Sequence, residues 1–116
     1  MRASHLKIIL AVLMAGPAVG QSPTDALAKC ERFSAPFFFI AKNKDAGLSR
    51  EQQTDLLYSE TGTRDPQQLD VPARYTLSAI DFVYQYPDKT ADEIKAIVLA
   101  RCTVSKDGKV SMGPSN

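Results

Sequence analysis

Cys30 and Cys102 stand 72 positions apart and enclose nearly every stretch of the chain that has the pattern of a folded element. They are its only cysteines. In an exported protein such a pair most simply makes one disulfide. Two separate thiols or a bridge between chains are the alternatives. The absence of a C-x-x-C pair argues against a redox enzyme. Closing so long a loop stabilises a fold by about 4 kcal/mol through loop-closure entropy, which is a large share of the stability of a small domain.

Export is read from residues 1–20. Arg2 and Lys7 give a positive start, the run from Ile8 to Ala15 is apolar, and Gly16-Pro17 breaks it. Ala18 and Gly20 then place small residues at the −3 and −1 positions before Gln21. This is the layout of a secretory signal peptide. The apolar run is too short to cross a bilayer, which takes about 20 residues. Lys29 directly before Cys30, and the distance from the apolar run, argue against a lipid-modified cysteine.

Cleavage after Gly20 leaves 96 of the 116 residues, enough for one domain with a modest core. The leader takes two of the 14 basic residues and none of the 13 acidic ones, leaving a net of −1. That balance points away from nucleic acid and from anionic membranes. The sole histidine, His5, lies in the leader. The exported chain is therefore expected to lack Ser–His, Cys–His and His-ligated metal chemistry.

Four helices are expected between residues 21 and 102, followed by a flexible tail over residues 103–116. Ser22-Pro23-Thr24-Asp25 starts the first helix. Leu27, Cys30, Phe33 or Ser34, Phe37 and Ala41 recur at helical spacing, which puts Cys30 on the apolar face. Pro36 predicts a kink or break near Ser34–Ala35, and Gly47 a stop. Ser49 and Gln52 form a capping box for a second helix with thin apolar content, Leu56, Leu57 and Tyr58. Turn chemistry fills residues 61–68, the segment expected to be most mobile.

Asp70 and Pro72 open a third helix that is apolar over more than half its surface, the expected core helix. It stops before Pro87. Pro87-Asp88-Lys89 is short enough to return the fourth helix antiparallel beside it. Thr90 and Glu93 make a T-x-x-E capping box. Beyond Cys102, Asp107-Gly108 between Val104 and Val110 has hairpin chemistry, but an isolated two-stranded hairpin is marginal in water.

Two aromatic features are candidate partner contacts. Phe37, Phe38, Phe39 and Ile40 are consecutive, and one helix cannot turn four neighbouring side chains inward, so a ring is left outside. Tyr84 and Tyr86 before Pro87 are the second, with a core role for Tyr84 as the alternative. Asp25, Asp55, Asp81 and Asp92 are single carboxylates without paired spacing, read as caps and solvated faces. Residues 42–47 hold an Asn, an Asp and a Gly but too few oxygen ligands for calcium. No catalytic, cofactor or metal residue is assigned.

The segment from Asp81 to Cys102 combines an apolar helix, a proline turn and a terminal cysteine. With the leader and the size, it resembles the Tai/Rap type of type VI secretion immunity protein. More distantly the chain is similar to HdeA-type acid-stress chaperones, which are also small, helical, periplasmic and closed by one disulfide. It departs from them in wider cysteine spacing and an extra helix. The expectation is an all-α, disulfide-closed bundle, periplasmic or secreted, non-enzymatic, and acting by binding another protein in the manner of an immunity protein or inhibitor; an acid-stress chaperone and a periplasmic structural protein are the alternatives.

Overall fold

A computed structural model describes residues 23–113. The leader expected over residues 1–20, the cap Ser22 and residues 114–116 lie outside the described residues. Four α-helices follow one another: α1 (Pro23–Asp45), α2 (Arg50–Thr61), α3 (Val71–Val83) and α4 (Ala91–Arg101). A short 3-10 turn, Pro66–Gln68, precedes α3, and strands β1 (Cys102–Val104) and β2 (Val110–Met112) follow α4. The all-α class holds, with one small hairpin added.

α1 runs unbroken for 23 residues, with Pro36 inside it. The break expected near Ser34–Ala35 does not occur. Pro36 still denies the Arg32 carbonyl its usual donor. One turn back, the buried Ser34 hydroxyl donates to the Glu31 carbonyl at 2.8 Å. Packing on both sides of the proline holds the helix together: Cys30, Ser34, Phe37, Ile40 and Ala41 are all buried. Leu27, expected on that face, is instead exposed. The helix ends in a Schellman motif, Leu48 N–H to Asn43 C=O and Gly47 N–H to Lys44 C=O, with Gly47 at φ +104°.

The Ser49–Gln52 capping box forms, and α2 buries only Gln53 and Leu57. It leans on α3. The preceding loop is not featureless, since the Asp65 carboxylate caps the 3-10 turn by accepting from the Gln67 N–H. Asp70 caps α3 by accepting from the Ala73 N–H at 3.0 Å. α3 contributes Ala73, Ala79, Ile80 and Val83 to the core, and Leu69 just ahead of it is buried as well.

The hub is α1 rather than α3. α4 lies along α1 instead of returning against α3, and α3 packs on α1 from elsewhere. The end of α1 decides this. Lys44 Nζ donates to the Lys89 carbonyl at 2.8 Å, and the Asp45 carboxylate accepts from the Ala91 N–H at 3.0 Å. Together they seize the 87–90 turn and the start of α4. Ile94 and Val98 then close the same core as Phe37 and Ile80.

Cys30 and Cys102 are joined in a disulfide, Cα to Cα 5.8 Å, which fastens the first half of α1 to the start of β1. The flexible tail expected from residue 103 is replaced by a hairpin pairing Thr103 with Ser111 and Val104 with Val110. Its turn is closed by Gly108 N–H to Ser105 C=O and Ser105 N–H to Lys109 C=O, both 2.9 Å, with Gly108 at φ +84°. Docking supplies what an isolated hairpin lacks. The disulfide anchors β1, Lys29 Nζ donates to the Gly108 carbonyl at 3.3 Å, Arg101 Nε donates to the Gly113 carbonyl at 3.0 Å, and Met112 rests on the core.

Candidate functional site

The four consecutive apolar side chains of α1 go to three different places. Phe37 is 3% exposed and leaves no surface for a partner. Its ring meets Tyr75 and Phe82 edge-on, at 5.9 and 5.3 Å between centroids. Ile40 is core. Phe38 is half-buried toward α4, with the Lys42 and Lys95 ammonium groups 5.9 and 5.7 Å from its ring centre. Phe39 is the ring left outside, 67% exposed.

Tyr84 and Tyr86 do not form an exposed patch. Tyr84 is half-buried, and its hydroxyl donates to the Leu48 carbonyl at 2.6 Å while accepting from Gln53 Nε2 at 2.7 Å. Tyr86 lies half-buried against Phe82, 5.2 Å between centroids. Both belong to the packing between helices. Tyr75 does similar work: its hydroxyl donates to the Phe33 carbonyl at 2.7 Å, and burial pushes its pKa up to about 12, so it stays a donor across the ordinary pH range.

Phe39 stands at the mouth of a groove of about 140 Å³ between α1, α2 and α3. Leu57 and Ile80 are its floor, Asn43 and Glu60 its polar edge, and Leu56 its opposite lip. Leu56 is 53% exposed. It also borders a hollow of about 420 Å³ on the outer side of α2, beside Leu48 and Asp55. Phe39 and Leu56 thus offer two large apolar side chains to solvent across one groove. Sequence reasoning included Phe39 but passed over Leu56. Its signal was available, because adjacent Leu56 and Leu57 lie about 100° apart around a helix and cannot both face a thin core contact.

α2 carries three acids, Glu51, Asp55 and Glu60, against the single cation Arg50. Glu60 alone of them lines the groove; Glu51 and Asp55 line a separate hollow beside Arg50 and Asp81. The Arg50 guanidinium is drawn to Asp81 of α3, at 2.5 Å. Arg64 reaches back to Asp55 at 2.6 Å. These exposed pairs contribute little stability, but they account for Asp55 and Asp81, two of the carboxylates weighed above. Among the described residues no helix is long and apolar enough to cross a membrane. No family model, no curated protein and no solved structure matches the chain.

Proposed function

We propose that the chain is exported to the periplasm or beyond and there acts, without catalysis, by binding another protein, in the manner of an immunity protein or inhibitor. The observation that carries this reading is the pair Phe39 and Leu56, 67% and 53% exposed at the lips of one groove. Large apolar side chains held out over a concave floor are the usual anchors of protein contacts. Glu60 at the groove's polar edge sets the partner's chemistry: an apolar side chain to enter the groove, with a lysine or arginine beside it. Export is supported by the disulfide, which belongs to oxidising compartments.

The test is a comparison of wild type with the Phe39→Ser, Leu56→Ser double variant. The partner is captured from the native host, identified, purified and titrated against both. Both side chains are exposed, so folding stability should change by no more than about 0.5 kcal/mol per site. Affinity should fall by roughly 100-fold, the loss of a contact hot spot. A variant that keeps its affinity would remove the groove from the contact.

An HdeA-type acid chaperone is the second reading, and one observation favours it. The start of α4 is held by two carboxylates, Glu93 accepting from the Thr90 N–H and Asp45 from the Ala91 N–H. The hydrogen bond from the Thr90 backbone is the main cause holding Glu93 below the usual carboxylate range. A lowered folded pKa contributes stability above the unfolded value and loses it as pH falls through the folded one. Acid therefore loosens the start of α4. Under this reading, dye binding and suppression of aggregation appear at roughly pH 2–3; a native near-UV spectrum at that pH excludes it.

A further inference from the structure

We propose that a second cleft, between α1, α3 and the hairpin, binds a small amphiphilic anion: an apolar chain or ring that carries one carboxylate. The cleft measures about 350 Å³ and is bounded by Lys29, Arg32 and Phe33 of α1, Tyr75 of α3, and Gly108 and Val110 of the hairpin. That volume lies at the small end of ligand pockets. Three separate elements build it, and the disulfide and the Lys29–Gly108 hydrogen bond hold the hairpin wall in place.

Its chemistry is divided. The apolar part is Phe33 and Tyr75, 5.6 Å between ring centroids and both half-buried, with Val110. The Tyr75 hydroxyl is committed to the Phe33 carbonyl, so Tyr75 offers its ring. The polar part is Lys29 and Arg32, three residues apart and hence neighbours on one helix face. Lys29 spends one of its three donors on the Gly108 carbonyl. Arg32 is exposed and forms no ion pair among the described residues. Nearby, Asp107 is engaged chiefly by the Ser105 hydroxyl and Asp25 has a partner of its own.

A carboxylate on Arg32 gains paired, charge-assisted hydrogen bonds. The rest of such a ligand covers the rings. A bare inorganic anion gains little, because exposed charges in water attract weakly. Two cations are also too few to follow a nucleic-acid backbone.

The full-length, disulfide-bonded protein is titrated with octanoate and, separately, with inorganic phosphate, while backbone amide shifts are followed by NMR. Octanoate is expected to give saturable shifts centred on Lys29–Phe33, Tyr75 and Gly108–Val110, and phosphate none that saturate in the same range. Arg32→Ala, at an exposed position, should weaken octanoate binding roughly tenfold or more. Phe39→Ser in the other groove should leave it unchanged, which separates this site from the protein-binding reading. Equal response to phosphate, absence of saturable shifts, or indifference to Arg32→Ala each overturns the proposal.

Discussion

Gln53 ties three parts of the chain together through one amide. It is 5% exposed on a helix that buries little else. Its Nε2 donates to the Ile40 carbonyl at 3.1 Å and to the Tyr84 hydroxyl at 2.7 Å, and its Oε1 accepts from Asn43 Nδ2 at 3.2 Å. Tyr84 continues the network to the Leu48 carbonyl. α2 has too few apolar side chains to hold its place by burial, so this amide fixes the floor of the groove beneath Phe39 and Leu56. Gln53→Leu keeps the volume and removes the bonds. It should cost about 1–3 kcal/mol in denaturant unfolding, and Tyr84→Phe about 1. Because the two share a bond, the double variant should lose less than the sum. Additive losses would show that the network does not act as a unit.

Element boundaries were written in local chemistry, and element pairing was not. Ser49 with Gln52, Asp70, and Thr90 with Glu93 act over three residues, so each cap can be read from adjacent letters and each forms. The disulfide was legible from the cysteine count together with the expected export. The partner of α4 was illegible, because α1 and α3 both offer apolar faces. Lys44 and Asp45 settle the choice through bonds 45 and 46 residues away in sequence. The hairpin's own turn predicts only marginal stability, whereas Lys29 and Arg101 stabilise it from outside. Pro36 on its own predicts a break, but buried residues on either side keep α1 whole. The Arg32 carbonyl therefore lacks its usual helical donor. Pro36→Ala restores the missing donor and should stabilise the protein by about 2 kcal/mol, the helix-interior penalty of proline less its restriction of the unfolded chain. A lower thermal midpoint would mean that the half-buried ring packs better than a methyl group.

The molecule places its two candidate sites at different levels along the α3-facing side of α1. Arg32 and Phe39 are seven residues apart, which is about 20° around a helix and about 10 Å along it. The disulfide serves one level directly: Cys102 begins β1, and the hairpin walls the cationic cleft. The groove at Phe39 is held by the Gln53 network and the Schellman turn instead. Reduction, or the Cys30→Ser, Cys102→Ser double variant, should therefore act unequally. Global stability should fall by about 4 kcal/mol, the loop-closure contribution of a ring this long. Protein binding through Phe39 and Leu56 should persist wherever the variant remains folded, since only the folded fraction changes. Amide exchange should rise first in β1 and β2, while Gln53 and Tyr84 retain their protection until global unfolding. Uniform loss of protection across α2 and the hairpin would show that the two sites belong to one cooperative unit. The disulfide would then hold the whole bundle rather than clasp one edge of it.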